Sequence, residues 1–108
     1  MDSRIAVEAL AALAQASRLQ VFRLLVQAGH DGMAASEIAQ ALAIPANTLS
    51  FHLKTLSHAD LVHSRQESRF VYYSANYERM NALLAFLTDN CCSRSCVPAA
   101  APSKRRTS

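Results

Sequence analysis

The segment from Pro45 to Leu56 constrains the chain most, because it reads as a short helix with two unlike faces. Proline suits the opening of a helix, where its missing N–H has no partner to lose. Leu49, Leu53 and Leu56 then fall at i, i+4 and i+7 and form one apolar row, with Asn47, Ser50, His52 and Lys54 largely off it. One face is expected in a core and the other at a surface. Just upstream, Ser36 to Ala43 reads as another short helix with Ile38 and Leu42 at i, i+4, although Ala34 and Ala35 give its start no capping side chain. Just downstream lie two β-rich runs, Leu61 to Arg65 and Arg69 to Ser74, separated by Gln66, Glu67 and Ser68, which is hairpin spacing.

The flanks are helical. Residues 4–15 place Ile5, Ala9, Leu13 and Val7, Leu10, Ala14 on two adjoining faces, the pattern of a mostly buried helix. Ser17 can cap a second helix, whose Leu19, Phe22, Val26 and Val21, Leu24, Leu25 spread over a wide apolar arc before a loop at Gly29 to Gly32. Tyr77 to Asn90 forms the last helix, with Met80, Leu83, Leu84 and Leu87 as a stripe suited to packing on another helix. The fold expected is mainly α with a small antiparallel β-hairpin, a winged helix-turn-helix in the order α-α-α-α-β-β-α. Its ordered domain is residues 1–92, and residues 93–108, rich in alanine, proline, serine and basic residues, read as a cysteine-containing, largely disordered tail. A chain of 108 residues folding alone buries only roughly 60 to 68% of its unfolded surface, so a second subunit would help.

Composition removes several functions. No apolar run approaches the roughly 18 residues needed to span a bilayer, and the N-terminus lacks a basic-then-apolar leader, so no membrane partner and a cytoplasmic location are expected. With two glycines there is no phosphate-cradling loop, and no nucleophile and base are recognisably placed, which argues against an enzyme. The net charge of +3 says little about nucleic acid, since Arg94, Lys104, Arg105 and Arg106 of the eleven basic residues lie beyond the last apolar periodicity.

Two short helices, a polar face on the second and a basic hairpin after it satisfy the geometry for entering a major groove. Asn47, Thr48, Ser50 and His52 occupy the first turns of the reader, where short side chains reach base edges or phosphates, while Lys54, Arg65 and Arg69 would neutralise phosphates. A solvated helix face is the plainer reading of any one of these residues. His30, His58 and His63 are assigned no role.

In the segments ALAQASRLQVFRLL, SEIAQALAIPANTLSFHLKTLSHADLV and SRQESRFVYYS, running from about Ala9 through Cys92, the chain resembles the ArsR/SmtB metal- and metalloid-responsive repressors. The resemblance implies a homodimer whose first and last helices form the subunit interface, bound to double-stranded operator DNA until an inducer weakens it. It also assigns Asn47, Thr48, Ser50 and His52 to the groove and Arg65 and Arg69 to the wing. Ser68 departs from the pattern, in which glycine is usual, and a non-glycine residue at positive φ in the turn costs of order 1 kcal/mol.

Cys91, Cys92 and Cys96 place three thiols within six residues after the last helix, in a chain whose odd cysteine count argues against a secreted disulfide framework. Adjacent residues of an ideal helix point about 100° apart, so these sulfurs can converge only if the helix ends near Asn90. Three soft ligands without an evident fourth suit trivalent arsenic or antimony as inducer, whereas zinc normally wants another donor and no histidine lies beyond His63. The family's other sensor positions are absent: Met33 to Ile38 contains no cysteine and YERMNALLAFLTDN no histidine. Two alternatives stay open, a sensor of methylated trivalent arsenic, which needs only two thiolates, and a thiol redox switch.

Overall fold

The computed structural model describes residues 1–92. The elements are α1 (Ser3–Leu13), α2 (Ala16–Ala28), β1 (Met33–Ala34), α3 (Ala35–Leu42), α4 (Ala46–His58), β2 (Val62–Glu67), β3 (Phe70–Ala75) and α5 (Tyr77–Thr88). This is the expected mainly α winged helix-turn-helix, with one extra strand. The tail reading of residues 93–108, Cys96 included, lies outside the described residues.

Helix ends follow from local hydrogen bonding, and the cap of α2 differs from expectation. Asp2 Oδ1 accepts from Ile5 N–H at 2.9 Å and opens α1. The start of α2 is capped by Gln15 rather than Ser17, its Oε1 accepting from Arg18 N–H at 2.8 Å. Ala34 has no acceptor to offer at the start of α3, so the stabilising contact runs the other way: Glu37 Oε1 accepts from Ala34 N–H at 2.8 Å. The Nε of Arg18 donates to the Ala12 carbonyl at 2.7 Å, satisfying a carbonyl left open by the end of α1.

Strand β1 pairs antiparallel with β3, Met33 opposite Tyr73 and Ala34 opposite Tyr72, and β3 pairs with β2 from Val62 opposite Ala75 to Glu67 opposite Phe70. The sheet order is therefore β1-β3-β2. Gly32 makes the β1 pairing possible: its φ is 74°, and a Cβ there would run into the Tyr73 carbonyl.

Leu25, Ile38, Leu49, Leu56, Leu61 and Val21 are the large side chains at the centre of the core, which places the leucine row of α4 against α2 and α3. The first helix corrects the expectation that it is mostly buried. It buries the small row Ala6, Ala9, Ala12 and leaves Val7 and Leu10 exposed. Small side chains let α1 approach its neighbours closely, and the larger Val7 and Leu10 face outward. Leu83 of α5 is buried while Leu84 and Leu87 are more than half exposed, so the stripe on that helix is shared between core and surface. No single described helix is long and apolar enough to cross a membrane.

Candidate nucleic-acid interface

The turn between α3 and α4 is three residues, Ala43, Ile44 and Pro45. Ala43 adopts the left-handed conformation at φ 54°, ψ 44°, its N–H returning to the Ala39 carbonyl, and Pro45 at φ −59° then launches α4. The Pro45 carbonyl accepts from Leu49 N–H at 2.9 Å. The leucine row is thereby fixed against the core and the opposite face is turned outward.

That outer face carries Asn47, Ser50, Phe51 and Lys54, at i, i+3, i+4 and i+7, all exposed, with Thr48 exposed beside them. Asn47 Oδ1 accepts from Thr48 N–H at 2.9 Å, holding the amide at the helix start. The remaining expected reader, His52, is a correction: it is only 6% exposed and lies among Leu49, Leu53 and Leu56 on the inner face. A helix needs more than a single i, i+4 row to fill its seat, and position i+3 from Leu49 falls inside the same arc. The His52 Nδ1 is buried without a hydrogen-bond partner among the described residues. Burial, and then the nearby Arg18 charge, push the imidazole below its ordinary value of 6.5, so it is held neutral. His52 packs into the seat of α4 and does not stand on its outer face. Phe51, by contrast, was not among the expected readers. Its signal in the sequence is its place four residues after Asn47, on the polar row.

The wing is the β2–β3 hairpin, closed by the two-residue turn Ser68–Arg69. Ser68 has φ 59°, the left-handed strain anticipated from its replacing a glycine. Arg69 stands exposed at the tip and makes no ion pair among the described residues. Arg65 is differently occupied. Its Nε donates to Glu67 Oε2 at 3.0 Å, one terminal nitrogen donates to the Asp31 carbonyl at 3.0 Å, and its guanidinium lies 5.0 Å from the centre of the Tyr72 ring. Its charge is partly met within the wing, whereas Lys54 and Arg69 stand exposed and make no ion pair among the described residues.

The C-terminal thiols sit beyond the opposite end of the molecule's last helix. Helix α5 stops at Thr88, whose hydroxyl donates to the Leu84 carbonyl at 2.8 Å, and Cys91 N–H donates back to the Thr88 carbonyl at 2.9 Å. Asn90 and Cys92 have φ of 61° and 64°, which turns the chain sharply. The result brings the exposed Cys91 and Cys92 sulfurs to 3.4 Å. Hydrogen bonding with the Cys91 thiol, then its charge, raise the Cys92 thiol above the ordinary range. Cys96, the third ligand expected, lies outside the described residues, and among the described residues no three His, Cys, Asp or Glu side chains cluster as a metal site.

Comparison with known proteins is consistent with this geometry. A family model described as a helix-turn-helix domain matches residues 13–65. The nodulation protein NolR of Rhizobium meliloti is 31% identical over 88 residues, 82% of this chain and 70% of that protein. An ArsR-like transcriptional regulator from Rhodococcus superposes with a TM-score of 0.71 at 25% identity, covering 78% of this chain and 76% of the other. The homodimeric winged helix-turn-helix DNA-binding domain of a possible ArsR-family regulator from Mycobacterium bovis superposes at 0.65, with 32% identity and 81% of each chain covered.

Proposed function

Because this chain belongs to the ArsR-like winged helix-turn-helix transcriptional regulators, DNA-binding proteins and not enzymes, we propose that it is a homodimeric repressor released from a palindromic operator by trivalent arsenic or antimony. The observation that carries this reading is the pair of exposed sulfurs 3.4 Å apart immediately after α5. The exposed Val7 and Leu10 of α1 and Leu84 and Leu87 of α5 supply the apolar surface for the second subunit.

Arsenite arrives as a neutral hydroxide. Each thiol that replaces a hydroxide gives its sulfur to arsenic, and its proton leaves with the hydroxide as water; three such exchanges by Cys91, Cys92 and Cys96 complete a pyramidal site without oxidation or reduction. Tying the segment after α5 to itself changes how α5 packs across the dimer and thus the spacing of two reading helices, which must match a groove repeat of about 34 Å. Coupling of about 1 to 3 kcal/mol, or roughly 5 to 150-fold in affinity, is the usual scale for such a device.

A second reading is favoured by the same sulfur pair: two thiols suffice for a methylated trivalent arsenical, and the same two can be oxidised to a disulfide. The test uses a duplex selected by the protein from a random-sequence pool. Arsenite, antimonite, a methylated arsenical and peroxide are titrated separately into the complexes of wild type and the Cys91→Ser, Cys92→Ser and Cys96→Ser variants. Release by arsenite in wild type and not in any variant supports the leading reading. Release only by the methylated species, insensitive to Cys96→Ser, supports the two-thiol sensor; release only by peroxide supports the redox switch. Arsenite release that persists in all three variants removes the cysteine cluster from the mechanism.

A further inference from the structure

We infer that Phe51 reads the C5-methyl group of a thymine in the major groove, a specificity element within the DNA-reading assignment of α4, on which it rests. Phe51 is 63% exposed on the face shared by Asn47, Ser50 and Lys54, opposite the buried Leu49, Leu53 and Leu56. Its ring is tilted 59° to the His52 ring with centroids 6.2 Å apart, and most of its surface meets solvent.

The other exposed large apolar side chains fall elsewhere. Met1 precedes α1, Val7 and Leu10 lie on α1, Leu19 on α2, Leu84 and Leu87 on α5, and Phe70 and Val71 on the wing. Phe51 is therefore not an extension of the apolar surface shared by α1 and α5. It is a lone phenyl ring in a row of polar groups. When that row enters a major groove, the apolar feature a base pair offers there is the pyrimidine C5-methyl of thymine, and phenylalanine is among the side chains that contact it. The neighbouring Asn47 supplies the complementary polar reading, since a carboxamide pairs with the N6 and N7 edge of adenine. A phenyl between an amide and a lysine thus reads a step containing thymine, with hydrogen bonding on one side and phosphate on the other.

The full chain and its Phe51→Ala and Phe51→Leu variants each select sites from a random-sequence duplex pool. Wild type is expected to enrich a palindrome with one fixed thymine per half-site, Phe51→Leu to keep that thymine, and Phe51→Ala to lose the preference while keeping the rest of the site. In the selected duplex, replacing that thymine by deoxyuridine removes only the methyl group. It should weaken wild type by about fourfold per half-site, the scale of one buried methylene, and leave Phe51→Ala unchanged. Cytosine at the same position weakens wild type further, and 5-methylcytosine recovers part of that loss, separating the methyl group from the rest of the base. Wild type that ignores uridine at every thymine, or Phe51→Ala that suffers the same loss as wild type, overturns the inference while leaving α4 as the reader. Failure of wild type to enrich any duplex overturns both.

Discussion

The hydroxyl of Tyr77 donates to the Val26 carbonyl at 2.8 Å, joining the first residue of α5 to the last turn of α2. The carbonyl is one of those a helix leaves open at its C-terminus, and the Tyr77 ring is held from the other side by His30, with ring centroids 4.7 Å apart. The base of α5 is therefore anchored to the domain that carries the reading helix, while its far end leads to the thiols. Tyr77→Phe keeps the ring and removes the bond. It should lower unfolding free energy by about 1 kcal/mol in urea titrations, and an unchanged midpoint would show that the bond contributes nothing net.

His52 gives stability a pH dependence of definite sign. Its imidazole is held below 6.5 by burial and by Arg18, so the unfolded chain takes up a proton at higher pH than the native one. Between the two values the unfolded state binds more protons, and stability rises with pH. The contribution is whole above about pH 6.5 and is lost as pH falls through the native value. Urea unfolding of wild type and His52→Leu from about pH 8 to about pH 5 should show a shallower acid decline in the variant. Parallel curves would mean that His52 titrates alike in both states.

At the wing tip, Ser68→Gly relieves a left-handed backbone at φ 59°. A gain of about 1 kcal/mol is expected, seen as a higher melting temperature. Loss of stability would place the strain elsewhere in the hairpin.

Gly32→Ala is the opposite case. A φ of 74° disfavours any side chain, and the Tyr73 carbonyl occupies the space a Cβ requires. A loss of about 2 kcal/mol or more is expected, together with loss of amide protection at β1 in hydrogen exchange. Intact protection would show that the strand tolerates the added methyl.

Salt dependence separates the arginines. Each phosphate neutralised adds about 0.9 to the slope of log affinity against log salt, so Lys54→Ala and Arg69→Ala should each flatten the line by nearly that amount per subunit. Arg65→Ala should flatten it less, because Glu67 and the Asp31 carbonyl already engage the guanidinium. Equal slopes for all three variants would return Arg65 to the set of phosphate ligands.

The order of elements is legible because leucine and β-branched residues follow the helix and strand periods closely, and because Pro45 and Ser68 mark the turn and the hairpin. Local charge is legible too, yet not its use: the sequence reading leaves Glu67 in the hairpin connection, and only the extension of β2 to Glu67 puts it, two residues from Arg65, on the same side of the strand. His52 escapes a reading based on polarity because only tertiary packing decides whether the i+3 position next to a leucine row is covered. Strand β1 escapes because two residues carry no period, and Gly32 is its only trace. Adjacent cysteines announce themselves, but the 3.4 Å between their sulfurs depends on the left-handed residues Asn90 and Cys92, which no composition rule picks out.

Met33 and Ala34, hydrogen-bonded along β3, lead without interruption into α3, so the hairpin is stitched to the helix that precedes the reader. Under the proposed function, a wing tied to α3 travels with the helix pair, so release from DNA is expected to come from re-angling one whole head against its twin.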